Sequence, residues 1–216
     1  MKAVGIFNCL GKLLAMVVLL HSSPASAQAA GEASLLHGMF QEHAVLQRDL
    51  PIRIWGNAQP GTKIQVSLDA PRASSLANET GKWEVRLPSM PAGGPHTLTV
   101  SDGVSTQSVG DVLVGDVWLC SGQSNMELPV WRALDAASEL GSASAPTIRL
   151  LTVPQSASPV PLESFPSTAQ WQTVDADSLR EFSAACFYFA RELQKSVDVP
   201  MGLIDASWGG SRIQAW

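Results

Sequence analysis

The residues best suited to acyl chemistry lie in Val114-Gly115-Asp116-Val117-Trp118-Leu119-Cys120-Ser121-Gly122-Gln123-Ser124-Asn125-Met126. Asp116 to Cys120 reads as a buried strand and Ser121 to Asn125 as a small polar turn, with a helix-compatible segment after it. A serine at the tip of a strand-to-helix turn exposes its Oγ. The amides at the start of the following helix can then hold a developing oxyanion. The same residues also suit a simpler purpose, the capping of a helix start by Ser124 or Asn125. The turn lacks the glycine that follows the serine in the usual nucleophile elbow. A second small-residue turn, Ser207-Trp208-Gly209-Gly210-Ser211, follows the apolar run from Val199 to Ala206. Its glycines serve either a tight connection after a strand or the close approach of a backbone N–H to a carbonyl, since no Cβ stands in the way.

These turns need a sheet to hold them, and the sequence supplies one. Beyond Gly110 the chain reads as the strand Asp116 to Cys120 and a helix from Val130 to Leu140, opened by Pro129 and stopped by Gly141. The strand Thr147 to Val153 and a Pro/Ser-rich loop from Pro154 to Pro166 follow, the loop long enough to be functional. Ser183 caps a helix running to about Ser196, with Phe182, Cys186, Phe189, Ala190 and Leu193 at helical spacing. Val199 to Ala206 closes the series as a buried strand. Apolar strands alternating with helices indicate a parallel α/β sheet, whose sites lie at the carboxyl ends of its strands. Both small-residue turns occupy that position.

From Ser34 to Ser108 the grammar differs. Ala44-Val45-Leu46-Gln47, Ile52-Arg53-Ile54-Trp55, Lys63 to Leu68, Trp83 to Leu87 and His96 to Val100 are strand candidates. They are separated by turns such as Gln59-Pro60-Gly61 and Pro91-Ala92-Gly93-Gly94-Pro95. Short alternating strands without a helical period predict a small antiparallel β-sandwich. Trp55 and Trp83 suit its core, with stacking on a sugar ring as the alternative. Asn78-Glu79-Thr80 matches a glycosylation acceptor.

The 216 residues are enough for one or two domains. A formal charge of -5, without a Lys/Arg run, argues against a nucleic-acid surface. Lys2 and Lys12, the apolar run Leu13 to Leu20 and the small residues Ala25-Ser26-Ala27 predict an export signal over residues 1–27. The run is too short to span a membrane, so no membrane insertion is expected after cleavage. Three segments result: the signal, a β-sandwich over 28–110 and an α/β domain over 111–216. Export permits a disulfide, but Cys120 and Cys186 both sit in apolar contexts, and buried free thiols are the expected state. No metal or cofactor is implied.

The block from Gly115 to Met126 resembles the nucleophile block of the sialate O-acetylesterase family, of the SGNH (GDSL-like) hydrolase superfamily. Pro200 to Trp216 resembles that family's second block, and Ala44 to Arg48 with Trp55 to Gly61 its N-terminal β-domain. The resemblance implies an incomplete flavodoxin-like SGNH hydrolase domain preceded by a small antiparallel β-sandwich. It implies hydrolysis of O-acetyl esters on carbohydrate, with acetylated sugar as the partner. Ser124 would be the nucleophile. Its own N–H, with that of Gly209 or Gly210, would form the oxyanion hole.

A serine esterase also needs a general base, usually histidine. His21, His37, His43 and His96 all precede Ser124. The family resembled carries its catalytic histidine late in the chain, so the sequence is expected to be an N-terminal fragment, inactive alone. Within the chain, His96 or His43 would have to swing across from the β-region. Asp205 reads as a carboxylate partner or simply as the end of its strand, and Glu127 as a helix-start charge favoured by the dipole. Two further classes compete: a non-catalytic glycan-binding sandwich protein, and another SGNH acyl-ester hydrolase such as an acetylxylan esterase.

Overall fold

The computed structural model describes Met1, residues 34–212 and residue 214. The expected export signal, Met1 apart, lies outside the described residues. Among those residues no helix is long and apolar enough to cross a membrane.

Alternating polarity builds the first part. Strands β1 (Val45–Gln47), β2 (Ile52–Asn57), β3 (Lys63–Leu68), β4 (Arg72–Leu76), β5 (Lys82–Leu87), β6 (Gly93–Ser101) and β7 (Thr106–Gly122) follow in chain order. β2 and β5 pair antiparallel as a two-stranded sheet, while β4, β3, β6 and β7 are antiparallel neighbours in the larger sheet. Every second residue points inward, as a period of two requires. Ile52 and Ile54 of β2, Ile64, Val66 and Leu68 of β3, and Trp83, Val85 and Leu87 of β5 share one core with Leu98, Val100, Val112 and Val114. Each such side chain contributes about 1.5–3 kcal/mol when fully buried. Trp83 lies in this core, and Trp55 packs against it, edge-on to Phe40 with ring centroids 4.6 Å apart.

β7 links this part to the next. The sequence suggested a break near Gly110, but one strand of 17 residues runs from Thr106 to Gly122. Its first half pairs with β6, its middle with β1, and its last residues with a strand from the far end of the chain. The continuity was invisible to patterning because Val109, Val112, Leu113 and Val114 are buried whichever neighbours they meet. At Gly115 a Cβ would stand 2.0 Å from the carbonyl oxygen of Pro200, so only glycine lets the two segments approach.

The second part contains α1 (Ser124–Glu127), α2 (Ala136–Gly141), β8 (Ala145–Thr152), β9 (Trp171–Val174), α3 (Ala176–Arg180), α4 (Ala184–Gln194) and β10 (Met201–Ser207). β10 lies between β7 and β8, parallel to both, and β9 closes the edge antiparallel to β8. Of the three parallel strands of this part, the third in chain order, β10, thus lies between the first, β7, and the second, β8. A flavodoxin-like sheet places the first between the second and third, and the described strands depart from that order.

Three local expectations are corrected. The helix expected over Val130 to Leu140 is a 3₁₀ turn at Val130–Arg132 followed by α2, because Asp135 adopts a left-handed conformation, φ 57°, between them. Phe189, placed by periodicity on the buried face of α4, is 45% exposed and meets Trp118, 36% exposed, edge-on at 5.0 Å. Cys120 and Cys186 are buried as expected but form a disulfide, with Cα atoms 5.9 Å apart. That spacing lies within the usual range. The capped start of α4, where the Ser183 hydroxyl accepts the Cys186 N–H, brings the second cysteine to the end of β7.

Candidate active site

The register of two parallel strands builds the site. Ser207, the last residue of β10, lies opposite Gly122, the last of β7. The turns that leave these strands are therefore side by side at one end of the sheet, where sites of α/β proteins form. The Trp208 N–H donates to the Gly122 carbonyl at 2.8 Å and ties them together. Behind Gly122 the disulfide fastens β7 to α4.

Ser124 is the first residue of α1 and is exposed. The helix cap is Gln123, whose side chain makes no capping bond, so neither Ser124 nor Asn125 is the N-cap. Among the described residues neither the hydroxyl nor the N–H of Ser124 has a hydrogen-bond partner. Its Oγ is free for a substrate, and its N–H is one of the unpaired donors that open any helix. Ser124 lines a hollow of about 350 Å³ with Glu127, Leu128, Pro129, Arg132 and Glu181.

The second turn needs both glycines, for different reasons. Gly210 has a φ of 79°, in the region that favours glycine. Gly209 has no room for a side chain: a Cβ there would lie 2.2 Å from Glu127 Oε2 and 3.6 Å from Ser124 Cα. The Gly209 N–H donates to Glu127 Oε2 at 2.7 Å. Among the described residues the Gly210 N–H has no partner. Gln155, at the start of the Pro/Ser-rich loop, donates from Nε2 to Glu127 Oε1 at 2.7 Å and to the Ser207 carbonyl at 3.2 Å. Sequence reasoning took Glu127 only for a helix-start charge and passed over Gln155. Neither stands out without the fold, because their partners are 82 and 52 residues distant.

A cleft of about 880 Å³ adjoins this turn. One wall is Trp208 to Ser211 and the other residues 156–162, with Gln214 also lining it. Trp208 is 38% exposed and offers the cleft an aromatic face. The far end of the loop is anchored to the β-region: Lys82 pairs with Glu163, and the Glu163 carbonyl lies 3.1 Å from His37 Nε2.

The described histidines, Asp111 and Asp205 are engaged away from Ser124. His43 Nδ1 lies 2.6 Å from Asp111 Oδ2, which also accepts from Arg149, and His96 Nδ1 lies 2.7 Å from Asp69 Oδ2. Burial would raise the Asp111 carboxyl, but the His43 hydrogen bond and the Arg149 charge outweigh it and hold it below the usual range. His37 sits against Trp55 and Phe165. No described histidine contacts Ser124, and the swing envisaged for His43 or His96 would break its hydrogen bond to Asp111 or Asp69. Asp205 is buried, and its Oδ1 accepts from the N–H and hydroxyl of Ser207 at 3.0 and 2.6 Å. Burial pushes its carboxyl up, against the pull of those bonds. It secures the end of β10 and meets none of the described histidines. The acceptor-like Asn78 spends its side-chain carbonyl on Thr80 and Lys82 of its own turn.

No protein-family model matches the chain. Its fold is that of a mixed α/β protein dominated by a central sheet and is similar to the crystal structure of a carbohydrate acetylesterase from Xanthomonas citri. The TM-score is 0.81 and the identity 41%, over 84% of this chain and 41% of that one. In sequence the chain is similar to proteins named sialate O-acetylesterase. The one from Pongo abelii is 35% identical over 76% of this chain and 34% of that protein. The one from Homo sapiens is 34% identical over the same shares. The one from Mus musculus is 31% identical over 88% of this chain and 38% of that protein. The chain thus spans about a third of the length of the curated relatives it matches.

Proposed function

We propose that this chain belongs to the sialate O-acetylesterase family and bears the nucleophile of an exported enzyme that removes O-acetyl groups from carbohydrate. The observation that carries the reading is the Ser207–Gly122 register, which sets an exposed, unpartnered Ser124 beside the Gly209–Gly210 turn. In this reading Ser124 Oγ attacks the ester carbonyl. The Ser124 N–H and a glycine N–H receive the oxyanion, and the sugar lies along the cleft beside Trp208. A base outside the groups described around Ser124 takes its proton, since His37, His43 and His96 are held elsewhere. The family motifs and the acetylesterase-like fold support an SGNH domain behind a β-sandwich, while the described strand order β8-β10-β7 counts against the flavodoxin-like order. The Cys120–Cys186 disulfide favours an oxidising compartment, in keeping with export.

The test is hydrolysis of p-nitrophenyl acetate and of acetylated sugars by the product of the complete reading frame. Ser124→Ala should reduce kcat at least about 10³-fold, as loss of a serine nucleophile does. Unchanged turnover would remove Ser124 from the mechanism.

A further inference from the structure

Glu127 lies at the meeting of three segments that carry the site. It ends the short helix α1 begun by Ser124, and its carboxylate reaches the turn after β10 and the loop after β8. One oxygen accepts the Gly209 N–H at 2.7 Å, and the other accepts Gln155 Nε2 at 2.7 Å. Gln155 in turn donates to the carbonyl of Ser207. A side chain at position 209 would strike Glu127 Oε2 at 2.2 Å. The glycine and the carboxylate therefore define one close fit.

A carboxylate that satisfies the Gly209 N–H has two consequences. It takes that N–H out of the set available to an oxyanion, and it fixes the turn so that the neighbouring Gly210 keeps a φ of 79° and an unpartnered N–H. A flexible turn would reorganise its donors as charge develops on the carbonyl oxygen. A fastened one presents them already placed, and such preorganisation is where oxyanion stabilisation comes from. Hydrogen bonds to an ionised acceptor are also about twice as strong as neutral ones.

We propose that Glu127 is a positioning residue of the esterase. With Gln155 it clamps the Trp208-Gly209-Gly210 turn against the nucleophile turn, leaving Gly210 rather than Gly209 as the oxyanion donor. The proposal rests on the reading of Ser124 as nucleophile. Because oxyanion donors act in the transition state, loss of the clamp should lower kcat and leave KM nearly unchanged.

The test uses the product of the complete reading frame with p-nitrophenyl acetate, alongside thermal melts. Glu127→Ala should lower kcat by about 10²–10³-fold, the loss typical of one oxyanion donor, with KM within about threefold of wild type. Glu127→Gln retains a carbonyl for the Gly209 N–H, but its amide opposes the amide of Gln155. Glu127→Gln should therefore lower kcat by at least about tenfold, part of the loss for one oxyanion donor, with KM nearly unchanged. Wild-type kcat in Glu127→Ala would overturn the proposal. A kcat above wild type would overturn it too, by showing that the carboxylate competes with the oxyanion for Gly209. So would wild-type kcat in Glu127→Gln, a result that stands even if Glu127→Ala fails to fold. Retained turnover in Ser124→Ala would instead sink the underlying assignment. Lost turnover there with full turnover in Glu127→Ala would sink the clamp alone.

Discussion

Reduction of the Cys120–Cys186 bond is the perturbation whose size follows most directly from the fold. The two residues are 66 apart in sequence. In the chain-entropy treatment, opening a loop of that length releases about 4 kcal/mol of constraint on the unfolded chain at 25 °C. For a protein of this size each kcal/mol moves the melting temperature by about 2–4 °C, so the melt should fall by roughly 8–16 °C. Competing effects are smaller. Reduction leaves both sulfur atoms in place in the second part's core, among Ile148, Phe182 and Leu203, so little packing is lost. Circular dichroism melts of the chain with and without reductant measure the difference directly. The variant Cys120→Ala/Cys186→Ala should melt near the reduced protein and be indifferent to reductant. The local consequence concerns the site, because Cys120 precedes Ser124 by four residues on the same strand end. Coincident melts would refute the reasoning. So would Cys120 and Cys186 both reacting as free thiols, in addition to Cys9, in the unreduced, denatured protein, which would restore the expectation of free cysteines.

Beyond the Ser124 and Glu127 variants, two further substitutions probe the frame of the site. Gly115→Ala puts a Cβ 2.0 Å from the Pro200 carbonyl oxygen, where only backbone can yield. It should cost about 3 kcal/mol or more in denaturant unfolding, at the upper end of overpacking effects, and an unchanged midpoint would show that β7 and β10 have slack. Asp205 has its carboxyl raised, chiefly by burial, so the folded state binds its proton more readily than the unfolded one. Its contribution to stability is complete below the ordinary carboxylate pKa of about 4 and is lost as pH rises through the raised value. Asp205→Asn keeps an Oδ1 acceptor for both Ser207 donors and removes the titration. Its stability should depend less on pH just above pH ~4 than that of wild type, and parallel profiles would show that Asp205 titrates alike folded and unfolded.

Local signals were strong enough to reveal most elements and both turns of the candidate site. Alternation found β2, β3 and β5, because each buries one face only, and the apolar run found β10, which parallel neighbours flank on both sides. The end of β7, expected to be buried, has β10 alone beside it and leaves Trp118 and Leu119 36% and 68% exposed. The small-residue turns at Ser124 and at Gly209–Gly210 were legible because few other purposes bring serine and paired glycine to the ends of such strands. The histidine count was legible too, and the structure agrees that none of the described histidines meets Ser124. What the sequence could not carry are relations between distant residues. The passage of β7 through both parts, the pairing of Cys120 with Cys186, and the place of β10 between β7 and β8 each depend on which segments pack together. So does the fastening of Gly209 by Glu127 and Gln155. A carboxylate three residues past a serine looks like an ordinary helix-start charge until tertiary packing brings a glycine N–H from 82 residues away to within 2.7 Å of it.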